Sequence, residues 1–155
     1  MRILFVCTGN TCRSPMAQGL AQKYFPEGTE ILSAGLHALP GDKVSDNAVS
    51  ALKEHGIDIS GHTATRLHKE LLESADYVFT MTKAQQQYLT SSYPEYADKI
   101  MTLGGFLGIG KDISDPWGGS LEDYRVCAQE LQELIARLAE SIKNDADTAG
   151  MEVEE

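Results

Sequence analysis

The segment RILFVCTGNTCRSPMAQGL, Arg2–Leu20, changes its apolar period once, and that change restricts the folds open to the chain. Ile3 to Val6 form an unbroken apolar run of strand length, the pattern of a strand covered on both faces. From Pro15 the period lengthens: Met16, Ala17, Leu20, Ala21 and Tyr24 fall on one helical face. Pro15 suits a first helical turn, where its missing N–H has no partner to lose. A doubly covered strand, a short polar loop and a helix together open a parallel sheet with helical crossovers.

The alternation continues along the chain. Pro26 and Gly28 end the first helix, and EILSAG (30–35) reads as a second strand. Val44, Ala48, Ala51, Leu52 and His55 mark another helix, closed by Gly56. LHKELLESA (67–75) predicts a helical turn or two. DYVFTM (76–81) is a third strand, KAQQQYL (83–89) is helix-forming and DKIMTL (98–103) is a fourth strand. A glycine-rich loop is expected from Gly104 to Gly119. Ser120 and Asp123 then form a capping-box-like start to the last helix. Its apolar stripe of Tyr124, Cys127, Ala128, Leu131, Leu134, Ile135, Leu138 and Ile142 should face the sheet, with Cys127 as core filler. The expectation is one α/β domain over residues 1–143, a parallel sheet with right-handed crossovers. In such sheets ligands bind beyond the carboxyl ends of the strands, where Cys7 lies.

Charge narrows the partners. The formal charge is −10, and five acids (Asp145, Asp147, Glu152, Glu154, Glu155) crowd residues 144–155, which contain no Lys or Arg. This stretch reads as a solvated, disordered tail. The remainder still carries −5, which argues against a nucleic-acid partner, because phosphate backbones are held mainly by Lys and Arg. The longest apolar runs are far short of the roughly 18 residues a membrane span needs, and a cytoplasmic protein without membrane attachment is expected. Three cysteines are too few and too odd for a disulfide framework. Cys7 and Cys12 have no neighbours to complete a metal site, so no metal is expected.

The loop from Thr8 to Cys12 points to chemistry. A turn running from a strand into a helix N-terminus aims several backbone N–H groups inward and binds an anion, aided by the helix dipole. Gly9 permits the necessary backbone, and Asn10 tolerates positive φ. No Lys-Ser/Thr pair follows, so this is not a nucleotide phosphate loop. A cysteine stands at its base instead. An ordinary cysteine thiol is only about 3% ionised at pH 7, whereas amides, a helix N-terminus and Arg13 all favour a thiolate, and the Ser14 hydroxyl can donate to the sulfur. The planar fork of Arg13 suits two equatorial oxygens of a phosphoryl group. A thiolate below, an anion cradle around it and a bidentate cation above imply phosphoryl transfer to sulfur. No cofactor is required, because the loop itself neutralises the charge.

VCTGNTCRSPMA resembles the signature loop of the low-molecular-weight protein tyrosine phosphatases, with SAG (33–35) and Asp115-Pro116 matching further landmarks in order and spacing. The resemblance spans residues 1 to about 143 and implies a flavodoxin-like fold with a four-stranded parallel sheet and helices on both faces. It implies Cys7 as nucleophile, Arg13 as phosphate clamp, Ser14 as support for the thiolate, and Asn10 with Ser33 as braces of the loop formed by Thr8, Gly9, Asn10, Thr11, Cys12, Arg13 and Ser14. Asp115 is then the general acid and later the base. Inorganic phosphate is the expected product and a competitive ligand. Thr11, where tyrosine-specific members commonly carry an aliphatic residue, and the continuation DPWGGS are similar to the bacterial branch acting on phosphoarginine in proteins. That makes Thr11 and Trp117 candidate selectivity residues, with phosphotyrosine as the alternative substrate. Trp117 either walls the slot or covers the core.

Two rivals share the pattern. An arsenate reductase would use further cysteines to relay a disulfide, and TMTKAQQQYLT after the third strand has none. An inactive phosphopeptide-binding module could lose the thiol or the acid, and both are present here. Cys12 shares the loop with Cys7 and is a candidate redox partner, alternatively a packed thiol. His62 and Arg66 lie either at the substrate rim or on exposed surface.

Overall fold

The computed structural model describes residues 1–154, with side chains described through Asp145. Four strands, β1 (Arg2–Cys7), β2 (Glu30–Gly35), β3 (Tyr77–Thr80) and β4 (Ile100–Thr102), form one parallel sheet in the order β2-β1-β3-β4. Among the described residues six α-helices accompany them, α1 (Arg13–Tyr24), α2 (Asp46–Lys53), α3 (Lys69–Ser74), α4 (Lys83–Ser92), α5 (Leu103–Phe106) and α6 (Leu121–Glu154), with a 3-10 turn at Pro94–Lys99. Chain order reverses at β1, whose neighbours are β2 on one side and β3 on the other, so the carboxyl end of β1 opens into the crevice of a topological switch point.

Alternation along β1 builds two cores. Ile3 and Phe5 pack with α1, α2 and the apolar stripe of α6, while Leu4 and Val6 pack with Leu72 of α3 and Leu89 of α4 on the opposite face. Each expected stripe residue of α6 is buried, Cys127 among them. The start of α6 is a reciprocal cap: Ser120 N–H donates to Asp123 Oδ2 at 3.0 Å, and Asp123 N–H donates to Ser120 Oγ at 3.2 Å.

Three boundaries differ from the sequence reading. The helix expected from Val44 begins at Asp46, because Lys43 pairs with Thr63 and Val44 N–H donates to His62 O, which ties this stretch to the neighbouring segment. The same helix ends at Lys53, leaving His55 in the turn before Gly56. The segment 104–119 is not wholly loop, since it opens with α5. There the chain doubles back so closely that a Cβ at Gly104 would lie 2.6 Å from Lys111 O. The acidic stretch expected to be disordered, 144–155, lies from residue 146 outside the residues whose side chains are described, and Glu155 lies outside altogether. Among the described residues no helix is long and apolar enough to cross a membrane.

Candidate active site

Residues 8–12 leave the carboxyl end of β1 and curl around Cys7 before α1 begins. The curl is fixed first by main chain. Leu36 N–H and His37 N–H donate to the carbonyls of Cys7 and Thr8, both at 2.9 Å. This approach needs Gly35, because a Cβ there would sit 2.7 Å from Thr8 O and 2.9 Å from Asn10 N. Asn10 then turns the chain with φ 57°, a conformation its short polar side chain tolerates better than most. The first turn of α1 leaves N–H groups without intrahelical partners, facing the same concavity.

Side chains lock the curl. Asn10 and Ser14 are fully buried, and their bonds have a direction set by chemistry. Ile31 O can only accept, so the Gln18 amide donates to it through Nε2 (3.2 Å) and turns Oε1 toward Ser33. Ser33 Oγ–H donates to that Oε1 at 2.6 Å. Thr65 N–H donates to Asn10 Oδ1 (2.8 Å), which leaves Asn10 Nδ2 to donate to Ser33 Oγ (3.0 Å) and Ser14 Oγ (2.8 Å). With its oxygen so engaged, Ser14 directs its own proton to Cys7 Sγ at 2.9 Å. Asn10 N–H adds a second donor at 3.3 Å. Cys7 Sγ thus lies within reach of two hydrogen-bond donors.

His62 reaches the loop from below. Its Nε2 lies 3.1 Å from Asn10 O, and because a carbonyl only accepts, Nε2 carries the proton. Burial pushes this half-buried imidazole below its ordinary value, against the opposing pull of that hydrogen bond. His62 is therefore a brace of the loop, whereas Arg66 is exposed, with its backbone beside Gly35. From the other side, Gln85 Nε2 donates to Thr8 Oγ1 at 3.1 Å while its Oε1 accepts from the N–H groups of Met81 and Thr82.

Arg13, only 5% exposed, joins this loop to the glycine-rich one. Its Nη1 donates to Ile113 O at 3.0 Å, and Nη2 stands 3.5 Å from Asp115 Oδ2. Asp115 also accepts from Trp117 N–H at 3.0 Å, closing a tight turn at the loop tip. The Trp117 indole is 74% exposed. Of its two expected positions, the cover over the core is excluded. A cavity of about 210 Å³ lies between the two loops, walled by Cys7, Thr8, Gly9, Thr11, Cys12 and Arg13 on one side and by Asp115 and Trp117 on the other.

The other two cysteines are differently placed. Cys12 is buried, its Sγ 3.2 Å from Tyr124 Oη, and desolvation pushes its thiol up. Burial pushes Tyr124 up to about 12 and Cys127 up to about 12, so both stay protonated at neutral pH.

Gln18 and Gln85 escaped the sequence reading, and Tyr124 was read only as part of the α6 stripe, without its contact to Cys12. Thr82-x-x-Gln85 is a capping-box signature, and both of its reciprocal bonds form at the start of α4. That spacing is a readable signal, although it does not foretell the bond to Thr8. Nothing in the local pattern marks Gln18, whose partners come from β2.

Comparison with known proteins places this geometry among relatives. The model of the low molecular weight phosphotyrosine protein phosphatase family matches residues 2–148. A protein-arginine-phosphatase of Geobacillus stearothermophilus is 44% identical over 145 residues, covering 93% of this chain and 97% of the relative. The low molecular weight protein-tyrosine-phosphatase PtpB of Staphylococcus haemolyticus is 39% identical, covering 89% and 97%. A solved structure of the YwlE arginine phosphatase, a cysteine-to-serine mutant with a phosphorylated active-site serine, superposes with a TM-score of 0.89 at 41% identity, covering 94% of this chain and 97% of that one.

Proposed function

The chain belongs to the low-molecular-weight phosphotyrosine protein phosphatase family, and from that premise we propose that it hydrolyses phosphoarginine side chains of proteins through a phosphocysteine on Cys7. The single observation that carries the reading is the directed set of donors on Cys7 Sγ at the floor of a cavity that Asp115 overlooks.

The phosphoryl group enters with its oxygens against the N–H groups of residues 8–13 and the Arg13 fork. The Cys7 thiolate attacks phosphorus in line with the bond to the leaving nitrogen. As the S–P bond forms and the P–N bond of the phosphoguanidinium breaks, the electron pair goes to that nitrogen and the Asp115 carboxyl gives it a proton, releasing the arginine guanidinium. Water then attacks the phosphocysteine, and the Asp115 carboxylate accepts the proton of that water. The S–P bond breaks, the thiolate is restored and inorganic phosphate leaves, so phosphate also competes with substrate. The half-exposed Asp115 carboxyl is open to solvent for this exchange.

The arginine preference draws on three supports. A relative named as a protein-arginine-phosphatase covers nearly the whole chain. The cavity wall carries the Thr11 hydroxyl, which meets a polar guanidinium more readily than a phenyl ring. Trp117 offers an exposed face on which a guanidinium can stack. Phosphotyrosine is the second reading, favoured by the likeness to PtpB. Matched peptides carrying either phosphoresidue decide between them: kcat/KM should be higher for phosphoarginine, and a preference for phosphotyrosine would reverse the assignment. The reading places the enzyme in the reducing cytoplasm, in keeping with three free thiols. Cys12 is a candidate redox partner for Cys7; restoration of activity by reductant after peroxide treatment should then be poorer in Cys12→Ser than in the unmodified enzyme.

A further inference from the structure

Trp117 stands between two cavities. One is the catalytic pocket. The other, about 490 Å³, lies beyond the indole and beyond Thr11, between the segment holding Asp42, Lys43 and Asn47 and the turn Gly118-Gly119, with Tyr124 among its walls. Thr11 and Trp117 line both. Its volume falls within the range of ligand sites, roughly 300–1,000 Å³.

We propose that this second groove binds the main chain of the substrate polypeptide beside the phosphorylated residue, an inference that rests on the protein-phosphatase reading above. Continuity is the first argument. A side chain inserted into the catalytic pocket leaves its own backbone at the rim, and the groove begins at that rim through its two shared walls. The second is the lining. Asp42 supplies one carboxylate and Lys43 one ammonium, so the groove selects neither sign of flanking charge. Asn47 and Ser45 add uncharged polar groups, and Gly118-Gly119 presents backbone without side chains. Donors and acceptors together, with bare main chain on one wall, match the amide pattern of an extended peptide better than any single side chain. The Asn47 Nδ2 contact to Gly119 O is long, 3.5 Å, so this amide gives up little by turning to a ligand. The ridge role also accounts for an exposed tryptophan: a peptide spanning both cavities covers the indole.

Small phosphorylated compounds fill only the first pocket, whereas protein substrates fill both. Blocking the groove therefore weakens peptides selectively. Asn47→Tyr fills it from α2, and Asp42→Tyr fills it from the exposed loop that precedes α2 without touching a helix. On a phosphorylated heptapeptide each should lower kcat/KM about tenfold, chiefly through KM, while an aryl phosphate stays within about twofold. Aryl phosphate turnover by each variant also reports that it has folded. Equal losses on both substrates, or no loss on the peptide, would overturn the groove assignment and leave the catalytic reading intact. Absence of aryl phosphate turnover by the unmodified protein would remove both.

Discussion

The two loops that face each other across the catalytic pocket are built in opposite ways. The loop around Cys7 is buried and cross-linked: Asn10 alone bonds Ser14, Ser33 and the Thr65 backbone. The loop carrying Asp115 and Trp117 is exposed at its tip, held at its base by Ile113 on Met81 O and Arg13 and by Asp112 on Lys83 N–H, and beyond that by the turn at Asp115 and its contact with Arg13. The difference follows from what each must do. On the proposed mechanism the thiol loop holds a phosphoryl anion, which requires dipoles fixed before substrate arrives, since donors that must reorganise stabilise charge less. The proton-donor role proposed for Asp115 requires exchange with water between steps, and burial would impede that. Precision thus sits with the thiol loop and adaptability with the acid loop.

Substitutions should expose this division. Cys7→Ser removes the nucleophile and should lower turnover by about 10⁴-fold or more while leaving the fold intact; aryl phosphate release measures it, and near-native activity would refute the mechanism. Asn10→Ala strands two buried hydroxyls, Ser14 and Ser33, and the Thr65 amide, and loses the tolerance for φ 57°, so it should cost about 3 kcal/mol of stability by urea unfolding. Asp115→Asn should change stability little, because its carboxylate is half exposed and stands 3.5 Å from the buried Arg13, whose Nη1 keeps its bond to Ile113 O. It should slow hydrolysis about 10²-fold when the leaving group is poor and far less when it is good. A uniform loss would contradict an acid role. Thr11→Ile should shift the phosphoarginine-to-phosphotyrosine ratio of kcat/KM about tenfold toward tyrosine, and unchanged selectivity would break the link between this wall and substrate choice.

The smallest effect concerns pH. Burial lowers the His62 value below the ordinary 6.5, so near and below that pH the unfolded chain binds more protons than the folded one. His62 therefore costs no stability above about pH 6.5 and subtracts from it as pH falls through 6.5 toward its folded value. His62→Gln should flatten the fall in urea midpoint between pH 7.5 and 5.5, and an unaltered slope would show that this brace does not titrate.

The thiol loop was legible because its information is local. A strand, a short curl and a helix follow one another in the chain, so the cradle around Cys7, the clamp of Arg13 and the donor of Ser14 are readable from neighbouring residues, whereas the bracing of the loop by Asn10 and Ser33 was implied only by the family resemblance. The β strands and the long stripe of α6 were legible for a similar reason, since burial on one face or two imposes a period on the sequence. Gln18, Gln85 and His62 were not, because each acts through a partner 52 or more residues away or on another strand. A polar residue in a helix looks the same whether it meets water or a buried serine.

By itself, then, the sequence determined the parallel α/β layout, the curl around the sulfur and the order of elements that puts the curl at a strand end, because periodicity and turn chemistry act between near neighbours. Only the tertiary structure decided which way the protons point along Gln18, Ser33, Asn10 and Ser14, that Trp117 stands clear of the core, and that Arg13 reaches across to Asp115. Those outcomes depend on segments brought together by packing, and no local pattern encodes the distance between them.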